Sequence, residues 1–182
     1  MRRLDADRSG FHHEALLYAG DEDFADRCAA FVREGLAARE VVLVAVGREK
    51  LELLRNRLGR DAETVTFLDM GEVGRNPARI IPVWRSFVET QLARGRRPRG
   101  IGEPAWPGRS DAELAECRRH ESLLNLAFAD GPAWALLCPY DAAGLHPAVL
   151  EGARCTHPTV SDEEGRAASA SFEGESAARE PF

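Results

Sequence analysis

The run VVLVAV, Val41 to Val46, has no polar position. A strand with one face in water alternates polar and apolar side chains, so an unbroken apolar strand must be covered on both faces. The flanking sequence supplies the cover. ALLYA (Ala15 to Ala19) reads as a preceding strand, and DEDFADRCAAFVREGLAA reads as a helix with Asp21 near its start and Phe24, Cys28, Phe31, Val32 and Leu36 on one face. Strand, helix and buried strand make a βαβ unit.

The alternation continues. REKLELLRNRLG reads as a helix, VTFLDM as a strand, ARIIPVWRSFVETQLARG as a helix preceded by Asn76-Pro77, and RGIGEP as a strand. A helix from Ser110 to Ala129 opens with a Ser110-x-x-Glu113 capping box; the strand AWALLCPY and a last helix near His146 to Cys155 follow. Five strands alternating with helices predict an α/β domain of three layers, with a mostly parallel central sheet of at least five strands. Residues 1–10 are charged and aperiodic and are expected to be a disordered lead-in; residues 11–160 form the domain. Residues 161–182, rich in small and charged side chains, are expected to be a linker or disordered tail.

A net charge of −6 argues against nucleic acid as a partner. The one basic run, Ala93 to Gly100, reads as a solvated loop at a helix end. Nothing in the sequence is apolar for long enough to span a bilayer, so no membrane partner and a cytoplasmic location are expected. The four cysteines, Cys28, Cys117, Cys138 and Cys155, match no CxxC pattern and are expected to be reduced and mostly buried.

Ligands of parallel α/β sheets sit beyond the carboxyl ends of the strands. The residues there are Tyr18, Asp21 and Glu22; Gly47 and Arg48; Asp69 and Met70; Glu103, Pro104 and Trp106; and Pro139, Tyr140 and Asp141. A phosphate loop is excluded: the first turn, AGDEDF, is acidic, and the only lysine, Lys50, follows no glycine-rich loop. No GxGxxG follows a strand. Cys117 and His120, with Glu116 a turn earlier, have the spacing to share an ion, or to pack and hydrogen-bond in the core; His12-His13 is equally ambiguous. No metal and no cofactor is expected. Glu103 and His120 could form an acid-base pair beside Trp106, the basis of an alternative reading as a small hydrolase. Glu103 could instead cap the Ser110 helix or pair with Arg109 or Arg118. No nucleophile elbow accompanies them. The site expected here is a ligand-binding one with no catalytic residue, built from Tyr18, Glu103, Trp106, His120 and Tyr140.

The order of HHEALLYAGDEDF, FVREGLAAREVVLVAV, GRNPARIIPVWRSFV, RGIGEPAWPGRSDAELAECRRHESLLNLAF and LLCPYD resembles the MEDS family, sensory domains named for methanogens and methylotrophs. The resemblance runs from about Phe11 to Val160. It implies a degenerate RecA/KaiC-like scaffold without its hydrolytic parts, acting as a non-catalytic input domain in a bacterial signal-transduction protein. Relatives with these strings resemble regulators that continue into a GHKL-type, histidine-kinase-like ATPase module of the anti-sigma-factor kind. The partners so implied are an unidentified small-molecule ligand, such an output module, and a sigma factor or its antagonist. A protein-interaction module for a sigma-factor regulator is the remaining alternative.

Overall fold

The computed structural model describes residues 10–75 and 79–174. Strand β1 runs over Phe11–Tyr18, helix α1 over Gly20–Ala37, β2 over Val41–Val46 and α2 over Arg48–Leu58. A 3-10 segment, Gly59–Thr64, leads into β3 (Thr66–Asp69) and a single turn, α3 (Met70–Val73). Then come α4 (Ile80–Ala93), β4 (Pro98–Gly102), α5 (Asp111–Phe128), β5 (Trp134–Asp141), α6 (Pro147–Thr156), β6 (Thr159–Asp162) and β7 (Gly165–Ala168). The sheet has seven strands in the order β3-β2-β4-β5-β1-β6-β7, and every pairing is parallel except β6 with β7. This is the three-layer α/β fold that the alternation predicts.

Right-handed crossovers dictate which helices cover which face. From β1 through β2 to β3 the chain steps one way along the sheet, and α1 and α2 lie on one face with Phe24, Cys28, Val32, Leu51 and Leu54 packed on Val42, Val44 and Leu16. From β3 through β4 and β5 to β6 it steps the other way, and α4, α5 and α6 cover the opposite face. Successive strand residues therefore enter different cores: Leu43 and Ala45 join Trp84, Leu124 and Phe128, while Val42 and Val44 face α1 and α2. All six residues of Val41–Val46 are buried.

Trp84 of α4 explains the glycines of β4. Its indole lies against the strand so closely that a Cβ on Gly100 would stand 2.6 Å from the ring, and one on Gly102 2.9 Å. The ring is itself buried and packs against Trp134 with ring centroids 5.9 Å apart. The capping box of α5 forms as its sequence predicts, with Ser110 Oγ accepting from the Glu113 amide and Glu113 Oε2 accepting from the Ser110 amide.

Several expectations need correction. β1 begins at Phe11 rather than Ala15, because it pairs with β5 along its whole length, and this draws His12 and His13 into the sheet. Arg99, expected in a solvated loop, is buried in β4; its Nε donates to Glu40 Oε2 at 2.5 Å, its Nη1 donates to the Phe31 carbonyl, and Gly35 leaves the room it needs. Residues 159–168, for the most part assigned to the tail by composition, form the β6–β7 hairpin. There β6 pairs with β1, Ser161 Oγ donates to Glu14 Oε1, and Arg166 Nε donates to Glu14 Oε2, both at 2.6 Å. Short polar strands carry no apolar period, so only their partner reveals them. Residues 1–9, most of the expected lead-in, and residues 76–78, with the Asn76-Pro77 step, lie outside the described residues. All four cysteines are free and buried, as expected. Among the described residues no helix is long and apolar enough to cross a membrane.

The Trp84 contact sets a measurable cost. Gly100→Ala should lower the unfolding free energy by about 1–3 kcal/mol through overpacking. The same change in a Trp84→Leu background should cost less, read as the coupling in a urea-denaturation double-mutant cycle.

Candidate functional site

Two polar constellations flank the sheet, one on each face. On the α1/α2 face, β1 ends on Tyr18, β4 ends one residue before Glu103, and α2 brings Lys50 over both. The Tyr18 hydroxyl donates to Glu103 Oε1 at 3.1 Å, and Lys50 Nζ contacts both oxygens. Glu103 is 1% exposed and Lys50 18%. Burial raises the Glu103 carboxyl above its ordinary range, against the pull of the Lys50 charge and the bonds from Lys50, Tyr18 and the Gly47 amide. Burial and the Glu103 charge likewise push the Tyr18 phenol up. The partner of Glu103 is thus Lys50, not the Ser110 helix, Arg109 or Arg118. The signal available in sequence was the singularity of that lysine, set one turn after β2.

On the opposite face a cleft of about 290 Å³ opens between α5 and α6. Ala105, Leu114, Val149 and Ala153 give it apolar walls, and Tyr140 and Thr156 also line it, with the Thr156 hydroxyl donating back to the Gly152 carbonyl at 3.0 Å. Burial and the charge of Glu121 push the Tyr140 phenol up, so it stays a neutral donor. Cys117 also lines the cleft, its thiol donating to the Pro104 carbonyl at 3.1 Å; burial pushes it up to about 12, far from thiolate reactivity. Beside the cleft, Tyr140 and Thr156 both touch His157, which belongs to a fully buried cluster with His13, Glu121 and Cys138.

The five residues expected at one site are therefore dispersed. Tyr18 and Glu103 are bonded to each other on the α1/α2 face, whereas Tyr140 faces the α5–α6 cleft. Trp106 packs against the α4–α6 core under the Arg109 guanidinium, 3.6 Å from its ring centre, and does not line the cleft. His120 is buried on α5, where burial lowers its basicity and its Nδ1 has no partner. Glu103 and His120, on opposite faces, form no acid-base pair.

At the carboxyl end of β1 a wider recess of about 540 Å³ is lined by Asp23, Glu151, Asp162, Glu163 and Glu164, with Arg154 paired to Asp162 at 3.3 Å. Asp23 Oδ2 accepts from the Ala19 amide at 2.9 Å, so a carboxylate of the chain itself occupies the head of α1. Such a lining repels phosphate.

These features define a small α/β scaffold with an apolar-walled cleft on one face and an acidic recess at the carboxyl end of β1. Residues 12–158 match the family model described as MEDS, the methanogen/methylotroph, DcmR sensory domain, and the chain belongs to that family of sensory domains. No curated protein matches the sequence. Among solved structures, ATPases 2 and 3 of EssC from Geobacillus thermodenitrificans align over 85% of this chain with 11% identity and a TM-score of 0.33. This chain spans about a third, 32%, of that structure, and the likeness is too loose to carry function across.

The buried ion pair yields a prediction with a pH signature. Lys50→Met leaves Glu103 buried without its cation and should cost about 3–5 kcal/mol near neutral pH. Removing the lysine raises the Glu103 carboxyl further in the folded state, so the folded variant holds a proton that the unfolded chain releases. Its deficit should therefore grow as pH rises from the ordinary carboxylate range toward neutrality, and shrink in acid. Lys50→Met/Glu103→Gln should recover most of the loss, measured by urea denaturation at both ends of that range.

Proposed function

We propose that the chain is a non-catalytic sensory input domain of a bacterial signal-transduction protein, and that its α5–α6 cleft takes a small, weakly polar molecule. The cleft carries this reading: an apolar-walled opening lined by Tyr140, in the α5–α6 layer of a sheet whose carboxyl edge is the ordinary ligand position of α/β folds. Membership of a sensory family supports it. Of the five residues expected to bind ligand, Tyr140 is the one that lines this cleft. In the same reading the domain works ahead of a histidine-kinase-like ATPase module and acts on a sigma factor or its antagonist. Its scaffold derives from a RecA-type ATPase whose phosphate loop has become acidic, a view supported by Asp23 at the head of α1.

Signalling requires that the ligand favour one of two states. A molecule wedged between α5 and α6 favours the state in which these helices stand apart, and α6 leads directly into β6.

A panel of short-chain alcohols, phenol and indole, followed by thermal shift and calorimetry, tests the proposal. At least one member should bind, and Val149→Trp, which fills the cleft mouth, should weaken it at least tenfold while the protein stays folded. Absence of binding by every member, or binding that Val149→Trp leaves unchanged, would remove the cleft from the reading. Mg-ATP in the same calorimeter should give no binding heat.

A further inference from the structure

Four donor atoms converge in the core between β1, β5, α5 and α6. His13 Nε2 lies 3.0 Å from Glu121 Oε2 and 3.3 Å from Cys138 Sγ; His157 Nε2 lies 3.4 Å and Cys138 Sγ 3.6 Å from the same carboxylate oxygen. The four residues are buried, and their donor atoms all lie within 4.8 Å of one another.

The surrounding hydrogen bonds fix where the imidazole protons are. Asn125 Nδ2 donates to the Thr156 carbonyl at 2.7 Å and the Glu121 carbonyl at 3.3 Å, which turns its Oδ1 toward His13 Nδ1, 3.0 Å away. An amide oxygen only accepts, so His13 carries a proton on Nδ1, and in its neutral form it presents a bare Nε2 to Glu121 and Cys138. His157 Nδ1 lies 2.8 Å from the Ala153 carbonyl, so it too carries a proton there, and in its neutral form the ring turns a bare Nε2 toward Glu121 Oε2. Glu121 Oε1 has no hydrogen-bond partner. With both imidazoles neutral, two imine lone pairs and a carboxylate point at one another in a buried core beside the Cys138 thiol. Lone pairs at these separations repel unless a cation lies between them.

We propose that His13, Glu121, Cys138 and His157 bind one divalent transition-metal ion, with Zn2+ the best match to the donors. Ligand bonds of about 2.0–2.3 Å at tetrahedral angles separate donor atoms by about 3.3–3.8 Å, and the observed contacts cluster around that range. Two neutral imidazoles, a carboxylate and the thiolate left when Cys138 gives up its proton carry two negative charges, which a divalent ion neutralises inside the apolar core. Asn125 and the Ala153 carbonyl orient the two imidazoles from behind, as outer partners of metal-bound histidines do. Mixed nitrogen, oxygen and sulfur donors favour Zn2+ over Mg2+ or Ca2+, which take oxygen. The site stands independently of the cleft reading, although Thr156 and Tyr140 connect the two.

Cobalt substitution in the full chain, purified without a polyhistidine tag and stripped of metal, is the test, with Co2+ as the probe. One Co2+ per chain should bind with the strong visible absorption of a tetrahedral site and a thiolate-to-cobalt charge-transfer band. Zn2+ should displace it. Cys138→Ser should lose the charge-transfer band, and Asn125→Ala, which keeps all four donors, should weaken Co2+ binding about 10- to 100-fold. A folded parent protein that shows neither absorption, or a charge-transfer band that survives Cys138→Ser, overturns the assignment; in the first case a proton shared between imidazole and carboxylate holds the cluster together. Loss of this site would leave small-molecule binding in the cleft untouched, so the two readings fail separately.

Discussion

The parallel pairing of β1 with β5 is the constraint on which the rest of the structure depends. It joins two strands over a hundred residues apart, residue for residue from Phe11↔Trp134 to Tyr18↔Asp141. Because paired residues in a parallel sheet point to the same side, this register decides which side chains share a face. His13 and Cys138 both point toward α5 and α6, as do Leu17 and Tyr140. A slip of one residue would send Tyr140 to the α1/α2 face and dissolve both the cleft floor and the buried cluster.

That register also marks the limit of what the sequence discloses. VVLVAV reads as a doubly covered strand because no polar residue interrupts it, and the α5 start is legible from Ser110 and Glu113 because a capping box is a local device. Position along the sheet is equally legible: Tyr18, Glu103 and Tyr140 all fall at or just beyond strand ends. The face is not. Tyr140 stands opposite Leu17 rather than Tyr18, so two tyrosines that look equivalent in sequence serve different cores. The donors at 13, 121, 138 and 157 come from separate elements, and no spacing rule brings them together, whereas the nearby Cys117-x-x-His120 pattern has the spacing without the convergence.

Charge is visible in a sequence and burial is not, which accounts for the other differences. Arg99 looks like the end of a solvated basic run until Gly35 and Glu40 are seen to make a slot for it; Lys50 looks like a surface lysine until α2 lays it across Tyr18 and Glu103. Both pairs bridge elements from different parts of the chain. They serve as positioning devices more than as sources of stability, since the desolvation of buried charges offsets much of their attraction.

Asn125 has a mechanical meaning. Its amide holds the Thr156 carbonyl at the foot of α6 and its oxygen meets the His13 ring of β1, so α5, α6 and the sheet are pinned together at one end. The cleft runs from Thr156 at that end to the first turns of the two helices, where Asp111 and His146 also line it. Two rods fastened at their feet open like tweezers: the gap widens most at the tips and hardly at all near the joint. A guest near the tips has the longest lever arm on the angle between the helices, while one lodged close to Thr156 has almost none. On the sensory reading proposed above, molecules would be graded by how far they reach up the cleft, with length as the quantity read.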